Sequence, residues 1–412
     1  MSRDIPKRVP AILMIAYTNY ETDPRVIRAA EAATEAGFEV DFLALRRPGQ
    51  PAQQLCHGVN VIRLPQERYR GRSRIGYVLA YALFFCRCFA ASTRLFIARR
   101  YRVIHVNNMP DALVFSVLIP KILGAKVILD IHDPMPETFG SKYPGAISSA
   151  VYKVLLFVER LSVAFANRTV TVNDPVRDKM VVTHGYRPHT IDVVANYADD
   201  RLFKPMPYPA IDGRLRFVFH GTILERYGLR TLVSAVAQAK HKDRIQIRLI
   251  GEGDFSAELK RLIKEHNLES AIDFINRVYP LHEIPAVLAD CHVGLVPLDV
   301  TPISDVALPL KLLEYTCLGL PSVTVKSTAI SYYFSPDECM LYPPGDAFAL
   351  ARILDDLASD PGRLEGYRQR LVTARERMSW SREKQKYVAM LQQLAGKYVP
   401  LADASTAGGS TR

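Results

Sequence analysis

Twelve short runs of successive apolar residues, seven before residue 205 and five after it, constrain this chain more than any other feature. The first series is AILMIA (11–16), EVDFLAL (39–45), NVIRL (60–64), RVIHV (102–106), KVILDI (126–131), RTVTV (168–172) and IDVVA (191–195). The second is LRFVFH (215–220), IQIRLI (245–250), AIDFI (271–275), HVGLVPL (292–298) and PSVTV (321–325). Strands that are apolar on neighbouring residues, rather than on alternate ones, belong to parallel sheets covered on both faces. Helical stretches separate the runs. The first helix is expected to start at Asp23-Pro24, a capping residue followed by proline at the first helical position, and to stop at Gly37, with Val26, Ile27, Ala30 and Ala33 as its buried stripe.

Between the two series, FKPMPYPAIDGR (203–214) carries three prolines and a glycine, a linker composition. The expectation is an α/β protein of two doubly wound, Rossmann-like domains facing across a cleft, with ligands at the carboxyl ends of the strands. Residues 1–205 form the first domain and 206–375 the second. A helix over 376–400 is expected to return to the first domain, Trp380 anchoring it by packing, and residues 403–412 form a disordered tail.

With 49% hydrophobic and 23% charged residues, the chain has ample material for a core, and 22 glycines and 27 prolines exclude collagen-like and disordered classes. Its six cysteines (56, 86, 88, 291, 317 and 339) include no C-x-x-C pair, so neither a zinc site nor a disulfide framework is expected. Only six apolar residues follow the basic N-terminal segment, too few for a signal-peptide core. A reducing, cytoplasmic setting is the expectation.

The net charge of +11 is concentrated in one place. Residues 63–102 hold ten arginines, no lysine and a single acid, Glu67, around the apolar run IGYVLAYALFFC (75–86). Twelve residues fall short of the roughly 20 that span a bilayer, and Arg87 follows directly. Two readings stay open: a segment lying on anionic lipid, where each basic residue contributes about 1 kcal/mol, or a buried helix hairpin with a solvated basic rim.

No dinucleotide-binding glycine motif follows the first strand, whose loop reads YTNYETDPR, and no Walker A or H-E-x-x-H pattern occurs. Gly251-Glu252-Gly253 follows a strand without a third glycine. The most informative block is LPLKLLEYTCLGLPSVTV (308–325). Lys311 and Glu314, three apart, share one face of a helix that begins near Pro309. A lysine at a helix N-terminus suits phosphate, and a carboxylate one turn on suits a diol; phosphate plus ribose describes a nucleotide. The same spacing also makes an ordinary solvated ion pair.

Five segments then carry a resemblance. Met14–Leu45, His105–Glu137, His220–Ala237, Ile250–Ile263 and Leu308–Ser322 resemble, in order, the blocks of retaining glycosyltransferases of the GT-B fold, family four or "group 1", in the subgroup that reads Pro-x-Lys-x-x-Glu. The resemblance implies transfer of a sugar from a UDP- or GDP-linked donor, with retention, by a hexosyltransferase-type enzyme that needs no metal and no cofactor. It implies that Glu314 holds the ribose, that Lys311 binds the donor phosphates and that His132 is the catalytic-site histidine lining the sugar pocket. Read without the family, His132 is a core histidine. Many members carry a glutamate where this chain has Val306; that role is vacant or falls to Asp305 or to backbone near Leu308 and Pro309. Where many members read Gly-Arg-Leu…Lys-Gly, this chain has Gly221, Thr222 and Tyr227, and Arg226 is either the substitute cation beside the phosphates or a solvent-facing residue. Glu252 lies near the nucleotide or is a solvated surface group. Asn196 contacts ligand or forms a turn, and Asn19 stands in the loop after the first strand.

The implied partners are a nucleotide-sugar, a glycan or lipid-linked acceptor, and the anionic inner face of the plasma membrane through 63–102. No nucleic acid is expected, although the arginine–tyrosine clustering makes a basic nucleic-acid-binding protein one alternative. A GT-B-fold sugar-nucleotide epimerase or hydrolase is the other.

Overall fold

The structure, a computed structural model, describes residues 9–69, 71, 73–142 and 149–396. Arginines 70 and 72 and the expected tail 403–412 lie outside the described residues. The chain divides into two units. The first comprises Met1–His132, Val154–Val170 and Lys384–Arg412, and the second Asp133–Lys153 and Thr171–Glu383. This division runs elsewhere than at residue 205, because 171–205 groups with the second unit.

The strands are β1 (Ala11–Ile15), β2 (Glu39–Leu45), β3 (Gln53–Cys56), β4 (Val59–Leu64), β5 (Val103–Asn107), β6 (Lys126–Ile131), β7 (Arg168–Thr171) and β8 (Ile191–Val193), then β9 (Leu215–His220), β10 (Ile245–Ile250), β11 (Ile272–Ile275), β12 (Val293–Val296), β13 (Ser322–Val325) and β14 (Met340–Tyr342). They form two sheets, ordered β3-β4-β2-β1-β5-β6-β7-β8 and β11-β10-β9-β12-β13-β14. β3 pairs antiparallel with β4, whereas the β1–β2, β1–β5, β9–β10 and β12–β13 pairs are parallel. The fold class is therefore the expected one: two Rossmann-like α/β layers with parallel sheets.

Each sheet gains a strand the apolar pattern does not signal. β3 reads QQLC and is exposed over most of its length, and β14 has only three residues. Both lie at sheet edges, where a single neighbour demands little apolar burial. β1 is buried at all five positions, as its unbroken apolar run requires.

The first helix, Pro24–Glu35, starts and stops where proline and Gly37 put it, though Asp23 makes no side-chain capping bond. Its inward face holds Val26, Ala30 and Ala33 as expected and also Arg25 and Arg28, which the apolar pattern does not reveal. The last helix, Trp380–Ala395, carries a buried Trp380, and its Tyr387 is buried with its hydroxyl 2.7 Å from His105 Nδ1.

The apolar run of the arginine-rich segment forms no hairpin and is mostly exposed. That run lies in one continuous helix, Arg74–Arg99, of 26 residues. Ser73 caps it by accepting the Gly76 N–H, and it ends at Arg100 in the left-handed conformation. A narrow stripe of Phe84, Cys88, Ser92 and Phe96 packs inward, while Ile75, Val78, Leu79 and Leu83 face solvent. At 1.5 Å per residue the helix is about 39 Å long. By length and composition it suffices to cross a membrane, so the limit drawn from the twelve-residue run alone does not hold.

Candidate active site

In the second sheet the strand order reverses at β9: β10 and β11 lie to one side, β12 and its successors to the other. The loops at such a reversal diverge and leave room for a ligand beyond the strands' carboxyl ends. β9 ends there in His220, followed by Gly221. Gly221 N–H donates to Ile250 O, and a side chain at Gly251 (φ +143) would strike Gly221 O at 1.8 Å. The glycines of Gly251-Glu252-Gly253 thus allow two loops to approach closely.

After β12 comes the helix Leu310–Leu318, with Pro309 at its N-cap and Gly319 in the left-handed conformation at its end. Proline limits where a helix can start and glycine where it can stop, so Lys311 falls in the first turn and Glu314 one turn further. Glu314 is buried, and its Oε2 lies 2.8 Å from His220 Nε2. The other nitrogen of that ring, Nδ1, lies 2.9 Å from the Tyr315 hydroxyl, which in turn donates to Val218 O at 3.1 Å. Among the described residues, Glu314 Oε1 accepts no hydrogen bond and remains available to a hydroxyl pair.

Lys311 does not pair with Glu314, so the solvated ion-pair reading does not hold. Its Nζ stands 3.7 Å from the Phe219 ring centroid and 4.3 Å from that of Tyr227. Burial pushes its ammonium down to about 7, against the opposing attraction of Glu314. A Cβ on Gly221 would lie 3.6 Å from Nζ, which places the lysine over the β9 turn. Arg226 is exposed and stands 5.4 Å from the same Tyr227 ring. Tyr227 is thus a platform shared by two basic side chains.

Other expected residues divide. Thr222 and Glu252 are exposed. Leu308 and Pro309 are half-buried at the helix entrance. Asp305 is committed elsewhere: its oxygens accept the Thr328 N–H at 2.9 Å and the Thr328 hydroxyl at 2.7 Å. Val306 is buried, and its carbonyl accepts the Asn173 side chain at 3.0 Å. The Asn196 N–H donates to Val172 O at 3.1 Å, which continues the pairing of β7 with β8 rather than closing a turn.

The first sheet reverses between β1 and β5, and polar side chains stand at the carboxyl ends of β1, β5 and β6. Asn19, after β1, is buried with Oδ1 lacking a hydrogen-bond partner among the described residues. Asn107 ends β5, and its Oδ1 lies 3.1 Å from Nε2 of His132, the residue after β6. Asp130 Oδ2 lies 3.3 Å from the same nitrogen. Two acceptors converge there, so the neutral ring keeps its proton on Nε2 and its lone pair on Nδ1. Arg25 holds Asp130 bidentately, at 2.5 and 3.2 Å. Burial by itself would raise the Asp130 carboxyl, but Arg25 above all, with His132 and His105, holds it well below the usual range. His132 itself is one-fifth exposed, unlike the fully buried His105.

Sequence reasoning missed His220, Tyr315, Asn107, Asp130 and Arg25. One signal existed, since Asp130 and His132 are two apart at the end of a strand and share a face. No group of three or more metal-ligating side chains occurs among the described residues.

The fold is that of GT-B proteins. Residues 23–197 match the family model "Glycosyl transferase 4-like domain" and residues 203–378 match "Glycosyl transferases group 1", each over less than half of the chain. It is 25% identical over 275 residues to the probable glycosyltransferase WbjE of Pseudomonas aeruginosa, covering 63% of this chain and 67% of that one. It is 26% identical over 205 residues to the amylovoran biosynthesis glycosyltransferase AmsK of Erwinia amylovora, covering 49% and 46%. The match thus spans about half of the latter's length. Among solved structures, sucrose-phosphate synthase from Thermosynechococcus elongatus superposes with TM-score 0.74 at 18% identity, over 94% of this chain and 99% of that one. Anabaena HepE in complex with UDP does so with TM-score 0.67 at 15% identity, over 93% and 100%.

Proposed function

We propose that this protein transfers a hexosyl group from a nucleotide-diphosphate-sugar, UDP- or GDP-linked, to a hydroxyl of a glycan or lipid-linked polysaccharide precursor, with retention and without a metal. The observation that carries the reading is Lys311: a buried lysine that makes no salt bridge among the described residues, one turn from a carboxylate with an available oxygen, at a helix N-terminus beyond a strand-order reversal. The kinds of substrate are supported by HepE, which is solved with UDP, and by AmsK, named for amylovoran biosynthesis.

In this reading Glu314 Oε1 accepts the ribose hydroxyls while His220 holds Oε2. The bond between the anomeric carbon and the phosphate oxygen breaks, and negative charge builds on the departing diphosphate. Lys311, Arg226 and the N–H groups of Gly221, Thr222 and the Leu310–Leu318 helix stabilise that charge more than they stabilise the donor. The acceptor oxygen bonds to the anomeric carbon on the same face, and its proton passes to the leaving phosphate oxygen. His132, oriented by Asp130 and Asn107, is assigned to the donor sugar. Glu252, Asn196 and Asn19 stay outside the mechanism. The proposed location is the cytoplasmic side, at the inner face of the plasma membrane.

The test is a thermal-shift panel of UDP, GDP, ADP and CMP against wild type, Lys311→Ala and Glu314→Ala. Ligand at 100 times its dissociation constant stabilises by about 2.7 kcal/mol, a shift of several degrees. One nucleotide should shift the wild type and neither variant. A shift that survives in both variants overturns the site. Incubating the sugar-nucleotide alone separates transfer from hydrolysis or epimerisation, which need no acceptor.

A further inference from the structure

In the first sheet, β1 leads to β2 in one direction, whereas β4 to β5, β5 to β6 and β6 to β7 all step the other way. Right-handed crossovers therefore put Pro24–Glu35 on one face and the helices Arg74–Arg99, Leu118–Ile122 and Ser149–Phe165 on the other. These three are neighbours. Ser92 Oγ donates to Ser116 O at 2.9 Å, the Phe115 and Phe165 rings meet at 5.1 Å, and Lys121 Nζ stands 4.3 Å from the Phe165 centroid.

Their outward residues are large and apolar. Ile75 is 72% exposed, Leu79 63%, Ile122 70% and Phe157 60%, with Leu83 and Leu161 nearly half exposed. Soluble surfaces rarely expose apolar groups on three adjacent helices. The charge pattern says what covers them. From Arg68 to Lys126 the chain has eleven Arg and Lys and one acid, Asp111, and Asp111 is buried. The Ser149–Phe165 helix has one acid, Glu159, also buried, while Arg160 is exposed. No helix on this face offers a carboxylate to solvent among the described residues. A protein partner of ordinary mixed charge would not select such a surface; an anionic bilayer combines acyl chains with negative headgroups.

We propose that the outer surface of these three helices is a membrane-docking face that seats on an anionic bilayer, with Arg74–Arg99 lying in the interfacial plane. The helix does not span, because its Phe84–Cys88–Ser92–Phe96 stripe is committed to the first unit. The inference deepens the acceptor side of the proposed function, and for its purpose it rests on that reading. The exposed apolar residues it rests on all lie in the first unit.

The experiment is flotation of the full chain, without nucleotide, on phosphatidylcholine vesicles with and without one-quarter phosphatidylglycerol. Expected is recruitment to the anionic vesicles only, weakened in 0.5 M salt, released by alkaline carbonate, and reduced at least tenfold in Leu79→Glu/Leu83→Glu and in Phe157→Glu. Arg68→Glu/Arg94→Glu should lose the preference for anionic lipid. The nucleotide-induced thermal shift, measured in parallel, should persist in every variant and shows that they fold. Variants that float like wild type, equal binding to neutral vesicles, resistance to carbonate (a spanning helix), or a dimer that Leu79→Glu/Leu83→Glu dissolves without any vesicle binding would each overturn the proposal. Loss of the nucleotide shift with vesicle binding intact overturns the transferase reading instead.

Discussion

The Lys311 ammonium stands 3.7 Å from the centroid of the Phe219 ring and 4.3 Å from that of Tyr227. Aromatic faces attract a cation more weakly than a carboxylate does, and burial lowers the ammonium to about 7. The lysine is therefore partly neutral at neutral pH, and a bound diphosphate restores its proton. Nucleotide affinity should fall as pH rises through 7, and binding near pH 7 should take up a fraction of a proton. Calorimetry in two buffers of different ionisation enthalpy measures that uptake. Equal apparent enthalpies would refute it.

The same lysine costs stability. Unfolded, it titrates near 10.4, so between about 7 and 10 the unfolded chain binds more protons and the folded state gains stability as pH rises. Below 7 the penalty is complete. Lys311→Met should raise the Tm by a few degrees at pH 6.5 while abolishing nucleotide binding, and the Tm advantage should shrink towards pH 10. Thermal scans across that range decide the matter.

His220 and Glu314 lie 94 residues apart in the chain, yet Nε2 and Oε2 are 2.8 Å apart. If this bond orients the carboxylate for ribose, His220→Ala should weaken UDP or GDP binding about tenfold, the worth of one charge-assisted hydrogen bond. The 2′,3′-dideoxy nucleotide, already weak, should lose almost nothing further. Equal losses for both ligands would remove the ribose role.

Tyr227 supports both Lys311 and Arg226 from one ring. Tyr227→Ala should weaken nucleoside diphosphate binding by roughly three- to tenfold, in the range of one cation–π contact, with a smaller effect on the monophosphate. A uniform loss would place the ring beside the base instead.

Arg25 and Asp130 form a buried bidentate pair. Arg25→Met leaves a buried carboxylate unpaired and should cost about 3–5 kcal/mol by urea unfolding at pH 7. The native Asp130 carboxyl is depressed, so its contribution is present above the ordinary aspartate range and is lost as pH falls through its folded value. In Arg25→Met the carboxyl rises, and the acid transition should move to higher pH. Asp130→Asn tests positioning of His132: kcat should fall while the nucleotide thermal shift is kept.

Much of the fold was legible because its causes are local. Unbroken apolar runs reveal strands covered on both faces, and Asp23-Pro24 and Gly37 bound a helix wherever it packs. β3 and β14 escaped because an edge strand needs few apolar residues. Within the site, the Lys311 and Glu314 spacing was readable as helix geometry. The polar companions were not, since Arg25 and Asp130 are 105 residues apart and become neighbours only through the order of strands in a sheet.

The sequence by itself therefore determined the two βα series, the helix that carries Lys311 and Glu314, and the cluster of arginines around an apolar run. Tertiary structure alone decided that Glu314 meets His220 rather than Lys311, that the acid beside His132 is Asp130, and that Arg74–Arg99 buries one narrow stripe and exposes the rest. The physical reason is the same in each case. Periodicity and capping act over one or two turns of chain, whereas the partner of a buried charge, and the face a helix leaves uncovered, depend on which distant segments the sheet brings beside it.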